Sequence, residues 1–113
     1  KYGHITGDCA LKAVVNMVTQ CKRDGDILFR YGGEEFVVLM RDTEIEGAAV
    51  LAERIRNHIE THPCRCSATD VNIRVSLGVS ALQKNDSPVS LFARADQALY
   101  SAKRHGRNQV IVA

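Results

Sequence analysis

The run Gly32-Gly33-Glu34-Glu35 places two glycines directly before two carboxylates. Glycine lets the backbone take positive φ and lets another molecule lie against the main chain. Bare backbone suits a phosphate or a flat base, and adjacent carboxylates suit a hard divalent cation. A tight turn with solvated acids uses the same letters, so the quartet alone does not decide. Other candidates lie far from it in sequence. Asp8 opens an apolar-periodic stretch, where a carboxylate complements a helix dipole or caps free amides. Arg23-Asp24-Gly25-Asp26 reads by itself as a charged, solvated turn. Lys103 and Arg107 lie four residues apart, near enough to aim two cations at one anion, and equally suited to a helix C-terminus. His58, His62, Cys64 and Cys66 crowd a further helix end. An i, i+4 His pair can share a metal, but Cys-x-Cys matches no common zinc module, so zinc is the weaker reading there.

The elements that must position these residues follow from periodicity. Leu11, Val14, Val15 and Val18 recur at helical spacing and predict a helix over 8–22, entered by a loop over 1–7. Apolar runs at 27–30 and 36–40 flank the glycines and predict a β-hairpin with the acids at its tip. Asp42 or Thr43 is expected to cap a helix over 44–61. Ile45, Ala48, Ala49, Ala52, Ile55 and Ile59 form its buried stripe, and Glu46, Glu53, Arg56 and Glu60 its solvated face. Residues 62–71 read as a loop. The alternation of Ile73, Val75, Leu77, Val79 and Ala81 predicts a strand over 72–81, with Gly78 marking a bulge or a close approach by a neighbouring segment. Ser87-Pro88 starts a helix over 89–105, with Leu91, Phe92, Ala95, Ala98, Leu99 and Ala102 as its apolar stripe and Gly106 as its stop. A short strand over 109–112 follows.

Composition narrows the function classes. The 113 residues suffice for one core, and 45% hydrophobic with 25% charged content reads as globular. No stretch reaches the ~18 apolar residues that cross a bilayer. A net charge of +2 argues against nucleic acid and anionic membranes, and 5% aromatic content against a base-stacking platform. Cys9 and Cys21 fall too far apart along one predicted helix to bridge, and Cys64 and Cys66 are poorly spaced. All four cysteines are therefore expected to be reduced thiols of a cytoplasmic domain.

Arg30-Tyr31-Gly32-Gly33-Glu34-Glu35-Phe36 resembles the signature of the GGDEF family, in the variant with Glu at the third position. The resemblance runs along nearly the whole chain. Gly3-His4-x-x-Gly7-Asp8, Ser76-Leu77-Gly78-Val79-Ser80 and the stretch from Arg94 to Asn108 also match family motifs. It implies an α+β fold of nucleotide-cyclase and polymerase-palm type, ferredoxin-like, with a mostly antiparallel central sheet and flanking helices. Family members carry an earlier strand ending in a metal-binding aspartate, and the sequence begins just after that segment. Residues 1–113 are therefore expected to be a single GGDEF-type domain without its first strand.

The resemblance also implies an activity. Family members are diguanylate cyclases, enzymes that condense two GTP into cyclic di-GMP with release of two pyrophosphates, as a homodimer, with Mg²⁺ or Mn²⁺. By that implication Glu34 binds metal and takes part in catalysis with Glu35. Asp8 holds guanine, Gly32 and Gly33 lie against the nucleotide, and Lys103 and Arg107 bind its phosphates. Arg23 and Asp26 match the family's inhibitory product site, which Arg54 joins. A sensor or regulatory domain is expected in the same parent chain, which the resemblance leaves free to be membrane-attached. The rival reading is an inactive sensor domain that binds GTP or cyclic di-GMP; the intact acid pair speaks against it, since a pure receptor needs no paired acids.

Overall fold

Two helical stripes meet to make the centre of the protein. Val14, Met17 and Val18 pack against Leu51, Ile55 and Ile59, all of them buried. The first three lie on α1 (His4–Cys21) and the others on α2 (Ile45–Thr61). In the computed structural model residues 4–66 and 68–113 are described, with side chains from Gly7 onward. Met17 and Leu51 join the core beside the expected stripes. Each adjoins a stripe residue, and a helix stripe wide enough to face a core takes in such neighbours.

The chain continues from α1 into β1 (Ile27–Gly32) and β2 (Glu35–Leu39), then α2. After it come β3 (Cys64–Cys66), β4 (Thr69–Val71), β5 (Leu77–Val79), α3 (Pro88–Arg104) and β6 (Val110–Val112). The α+β class is borne out, with the sheet present as three two-stranded ladders. β1–β2 and β3–β4 are antiparallel, and β5–β6 is parallel. Leu28, Phe36, Val38, Met40, Ile73, Val75 and Leu77 cover the helical core from the strand side.

Several boundaries differ from expectation. The helix predicted from residue 8 already runs from His4, so Asp8 sits in its second turn rather than at its start. Of the entry loop expected over 1–7, residues 1–3 lie outside the described residues. The loop read at 62–71 contains the β3–β4 hairpin. The strand expected over 72–81 narrows to β5, although Ile73 and Val75 still turn to the core. Burial alternates there without a ladder, because alternation reports which face is covered and not which backbone is paired. Glu44 is the N-cap residue of α2, without a side-chain cap bond. Thr43 instead donates to the Arg41 carbonyl at 2.8 Å.

α3 starts as its sequence predicts. Ser87 caps it reciprocally with Ser90, Pro88 occupies the first turn, and Gly106 takes φ +106° past its end. The Arg107 amide then donates to the Ala102 carbonyl at 2.9 Å, closing a Schellman turn. Gly78 is a close approach: a Cβ there would stand 2.1 Å from the Ala95 carbonyl oxygen and 2.3 Å from the Leu99 amide. β5 thus lies directly on the backbone of α3.

The face of α2 expected to be solvated is a staple. Arg56 donates to Glu53 at 2.6 Å and to Glu60 at 2.7 Å. It also donates to Asn108 Oδ1 at 3.2 Å, while Asn108 Nδ2 donates to Glu60 at 2.9 Å. The partner lies 52 residues away from Arg56, beyond the reach of helical periodicity.

The cysteine reading is overturned. Cys9 of α1 and Cys66 of β3 form a disulfide, with Cα atoms 5.9 Å apart. Spacing within one helix or one loop cannot show that β3 folds back against α1 across 57 residues. Cys21 and Cys64 are free thiols.

Candidate functional site

The acidic tip is built by the register of its hairpin. Arg30 pairs with Phe36 and Gly32 with Glu35, so Tyr31 is bulged and Gly33-Glu34 is the two-residue loop. Gly33 takes φ +44°, a left-handed value that glycine adopts at little cost. Arg30 Nε donates to the Gly33 carbonyl at 2.8 Å, and Nη2 donates to the same oxygen, so one guanidinium braces the turn. Glu34 is exposed and Glu35 half-buried. Among the described residues, and apart from the adjoining residues of the chain, no atom lies within 4 Å of where a Cβ would stand on Gly32 or Gly33. The backbone beside the acids is open.

Two side-chain contacts tie this hairpin to α3. The Tyr31 and Phe92 rings lie 4.8 Å apart, and Lys103 Nζ stands 3.7 Å from Glu35 Oε2. Lys103 is thereby brought to the acidic tip. Arg107 lies past the helix stop, exposed, with φ +61°, rather than one turn further along a continuing helix. The structure gives the hairpin's brace, Arg30, which sequence reasoning missed. Its signal was an arginine three residues before Gly33, at the end of a strand that faces the turn.

Asp8 is placed on α1. It lines an open pocket of about 540 Å³ with Cys9, Lys12, Ala13, Asn16, Cys64 and Arg65. Lys12 and Asn16 follow Asp8 at i+4 and i+8, so one helix face supplies all three polar groups. That spacing was readable, and sequence reasoning passed over it.

Arg23 and Asp26 meet at the root of the hairpin. Arg23 Nη2 donates to Asp26 Oδ1 at 2.9 Å, to the Arg41 carbonyl at 3.0 Å and to Thr43 Oγ1 at 2.5 Å. Asp26 also accepts from the Arg23 amide at 3.0 Å. The hydrogen bond from Arg23 holds the Asp26 carboxyl below its usual range despite burial. The two side chains differ in access: Arg23 is 55% exposed and Asp26 1%. Arg54 is exposed on α2, close enough to Cys21 for its charge to act on that thiol. Of the three expected members of a product site, Arg23 and Asp26 are brought into contact, and Arg54 lies midway along α2.

Among the described residues no group of three or more His, Cys, Asp or Glu is placed to hold a metal ion. His58 Nε2 instead pairs with Gln20 Oε1 at 3.0 Å, and His62 Nδ1 with the His58 carbonyl at 2.8 Å. No helix among them is long and apolar enough to cross a membrane.

Comparison with known proteins places the chain in a family. The family described as "Diguanylate cyclase, GGDEF domain" matches residues 1–109, and the chain belongs to it. It is 40% identical over 110 residues to Diguanylate cyclase A of Treponema denticola, covering 96% of this chain and 30% of that protein. It resembles the active GGEEF domain of a diguanylate cyclase from Vibrio cholerae, with TM-score 0.89 and 36% identity over 98% of this chain and 70% of that one. It also resembles the GGDEF domain of DgcB from Caulobacter crescentus in complex with c-di-GMP, with TM-score 0.91 and 32% identity over 98% of this chain and 67% of that one. The chain spans less than a third of the length of the Treponema relative.

Proposed function

We propose that residues 1–113 are one catalytic domain of a diguanylate cyclase, which joins two GTP into cyclic di-GMP and releases two pyrophosphates. The observation that carries this reading is the bare backbone at Gly32-Gly33 beside Glu34, left-handed at Gly33, open to a ligand and braced from behind by Arg30. Gly32 has no left-handed φ and no neighbour that a methyl group would strike. A ligand lying against the strand accounts for glycine there.

The donor set fits Mg²⁺ or Mn²⁺. Magnesium is commonly held by one or two carboxylates together with substrate phosphates, and Glu34 with Glu35 supplies that number. Bound there, the ion would stabilise charge on the attacking and leaving oxygens of phosphoryl transfer. Glu34 is the principal ligand and takes the proton of the ribose 3′-hydroxyl, with Glu35 as its companion. Lys103 adds positive charge beside them for the triphosphate, joined by Arg107. Asp8 accepts two hydrogen bonds from guanine N1–H and its amino group, which adenine does not offer in that arrangement. One domain holds one reacting GTP, so two copies meet in an isologous homodimer. Product returns to the exposed guanidinium groups of Arg23 and Arg54, with buried Asp26 orienting Arg23. The domain works in the cytoplasm, where a sensor or regulatory domain of the parent chain controls pairing.

The test is the full-length protein incubated with GTP and Mg²⁺. Pyrophosphate release is expected, falling roughly 100-fold or more in Glu34→Gln. Tight binding of cyclic di-GMP without any turnover would instead establish the sensor reading.

A further inference from the structure

The mechanism above uses none of the cysteines, yet three of them share one corner of the fold. Cys64 and Cys66 stand at i and i+2 of β3, a poor spacing for a bridge along an extended strand, yet they share one face and their sulfurs lie 3.5 Å apart. Cys66 is already bonded to Cys9, one residue after Asp8. Cys9 and Cys64 both line the pocket of Asp8, together with Lys12 and Arg65.

We propose that Cys9, Cys64 and Cys66 form a thiol–disulfide exchange site that locks and unlocks the β3–β4 hairpin from α1 beside the guanine pocket. The Cys64 thiolate attacks Cys66 Sγ. A Cys64–Cys66 bond forms, the Cys9–Cys66 bond breaks, and Cys9 leaves as a thiolate that takes up the proton Cys64 gave to water. One thiol and one disulfide stand on each side of the exchange, so no outside oxidant or reductant takes part. Lys12 and Arg65 place positive charge around the displaced Cys9 thiolate.

Position singles out Cys64 for this role. It is half-buried on the pocket wall, so solvent and small thiols reach it. Cys21, the other free thiol, packs against the helical core, and burial pushes its pKa up against the opposing charge of Arg54. The two strands of this hairpin pair only with each other among the described residues, so the link to Cys9 is the covalent tie that holds them to α1. Opening it loosens the wall that faces Asp8. The expected consequence, which rests on Asp8 holding guanine, is tighter GTP binding in the Cys9–Cys66 form than in the Cys64–Cys66 form.

Disulfide-linked peptides from the full-length protein would be mapped by mass spectrometry after acid quenching, before and after incubation at neutral pH. Both linkages are expected in the wild type, interconverting on incubation, and Cys9–Cys66 alone in Cys64→Ser. The KM for GTP of Cys9→Ser, in which oxidised glutathione is added to close Cys64–Cys66 and so fix the exchanged form, is expected to exceed that of Cys64→Ser by about fivefold or more, an ordinary coupling between sites. Failure to find the Cys64–Cys66 peptide under any condition overturns the exchange, and equal KM values in the two variants overturn its effect on nucleotide binding. If no form releases pyrophosphate, the cyclase reading falls, while the linkage map still decides the exchange.

Discussion

Lys103 and Glu35 stand 3.7 Å apart, each partly open to water. A pair of that kind contributes about 0–1 kcal/mol to folding, so its place at the acidic tip has little to do with stability. Lys103→Ala is expected to leave the thermal midpoint nearly unchanged and to raise the KM for GTP roughly tenfold or more, the loss of one charge-assisted contact. Steady-state kinetics beside a melting curve checks both halves. Gly32→Ala makes a complementary case. Nothing in the protein meets the added methyl group, so the fold should tolerate it, while nucleotide affinity falls because the methyl group occupies space a ligand needs. Equal GTP affinity in Gly32→Ala and wild type would show that no ligand lies against that strand. The acid pair, the glycines and Lys103 were all legible as residue types. Their assembly was legible only in part, since Arg107 leaves the helix at a left-handed turn that spacing alone does not reveal.

Between elements, the tightest junction is β5 on α3. At Gly78 a Cβ would collide with backbone atoms of Ala95 and Leu99, which cannot rotate away as a side chain would. Gly78→Ala should destabilise the protein by about 3 kcal/mol, the upper end of ordinary overpacking, read as a lowered midpoint in denaturant. The sequence offered both a bulge and a close approach at this glycine, and the helix decides for the second. At the hairpin root, Arg23→Ala would remove bonds to Asp26, Arg41 and Thr43 together, confounding folding with regulation. Arg54→Ala is the cleaner probe. It should weaken inhibition by added cyclic di-GMP with the melting temperature held, and an unchanged inhibition curve would remove Arg54 from the product site. Helix positions were readable because their periodic stripes face a core. The β3–β4 hairpin and the Arg56–Asn108 staple were not, because their partners lie in other parts of the chain.

Across the whole molecule, buried or enclosed carboxylates set the response to acid. Hydrogen bonds from Arg94, the Gln83 amide and Ser90 hold Asp86 far below the usual carboxylate range. Arg94 reaches Asp86 at 2.6 Å and the Ala81 carbonyl at 2.6 Å, joining the start of α3 to the segment after β5. A carboxylate whose folded pKa is depressed stabilises the protein above its unfolded value, near 4, and that contribution drains away as pH falls toward the folded value. The same sign holds for Asp26. Melting temperature should therefore drop as pH is lowered below about 4, with a shallower slope in Asp86→Asn. The individual helices and the acidic hairpin were legible from periodicity and the α+β class from the family resemblance, whereas the division into separate ladders was not legible, because strand partners are a property of the assembled chain.

That division governs how the protein breathes. β1 and β2 share backbone hydrogen bonds only with each other among the described residues, and they hold to the remainder through side chains. Such a ribbon is a cooperative unit of its own, able to detach while the helices stay formed. Deuterium uptake should sweep through its amides together and ahead of those in α2, at a rate set by how firmly Leu28, Phe36 and Val38 hold to the helical core.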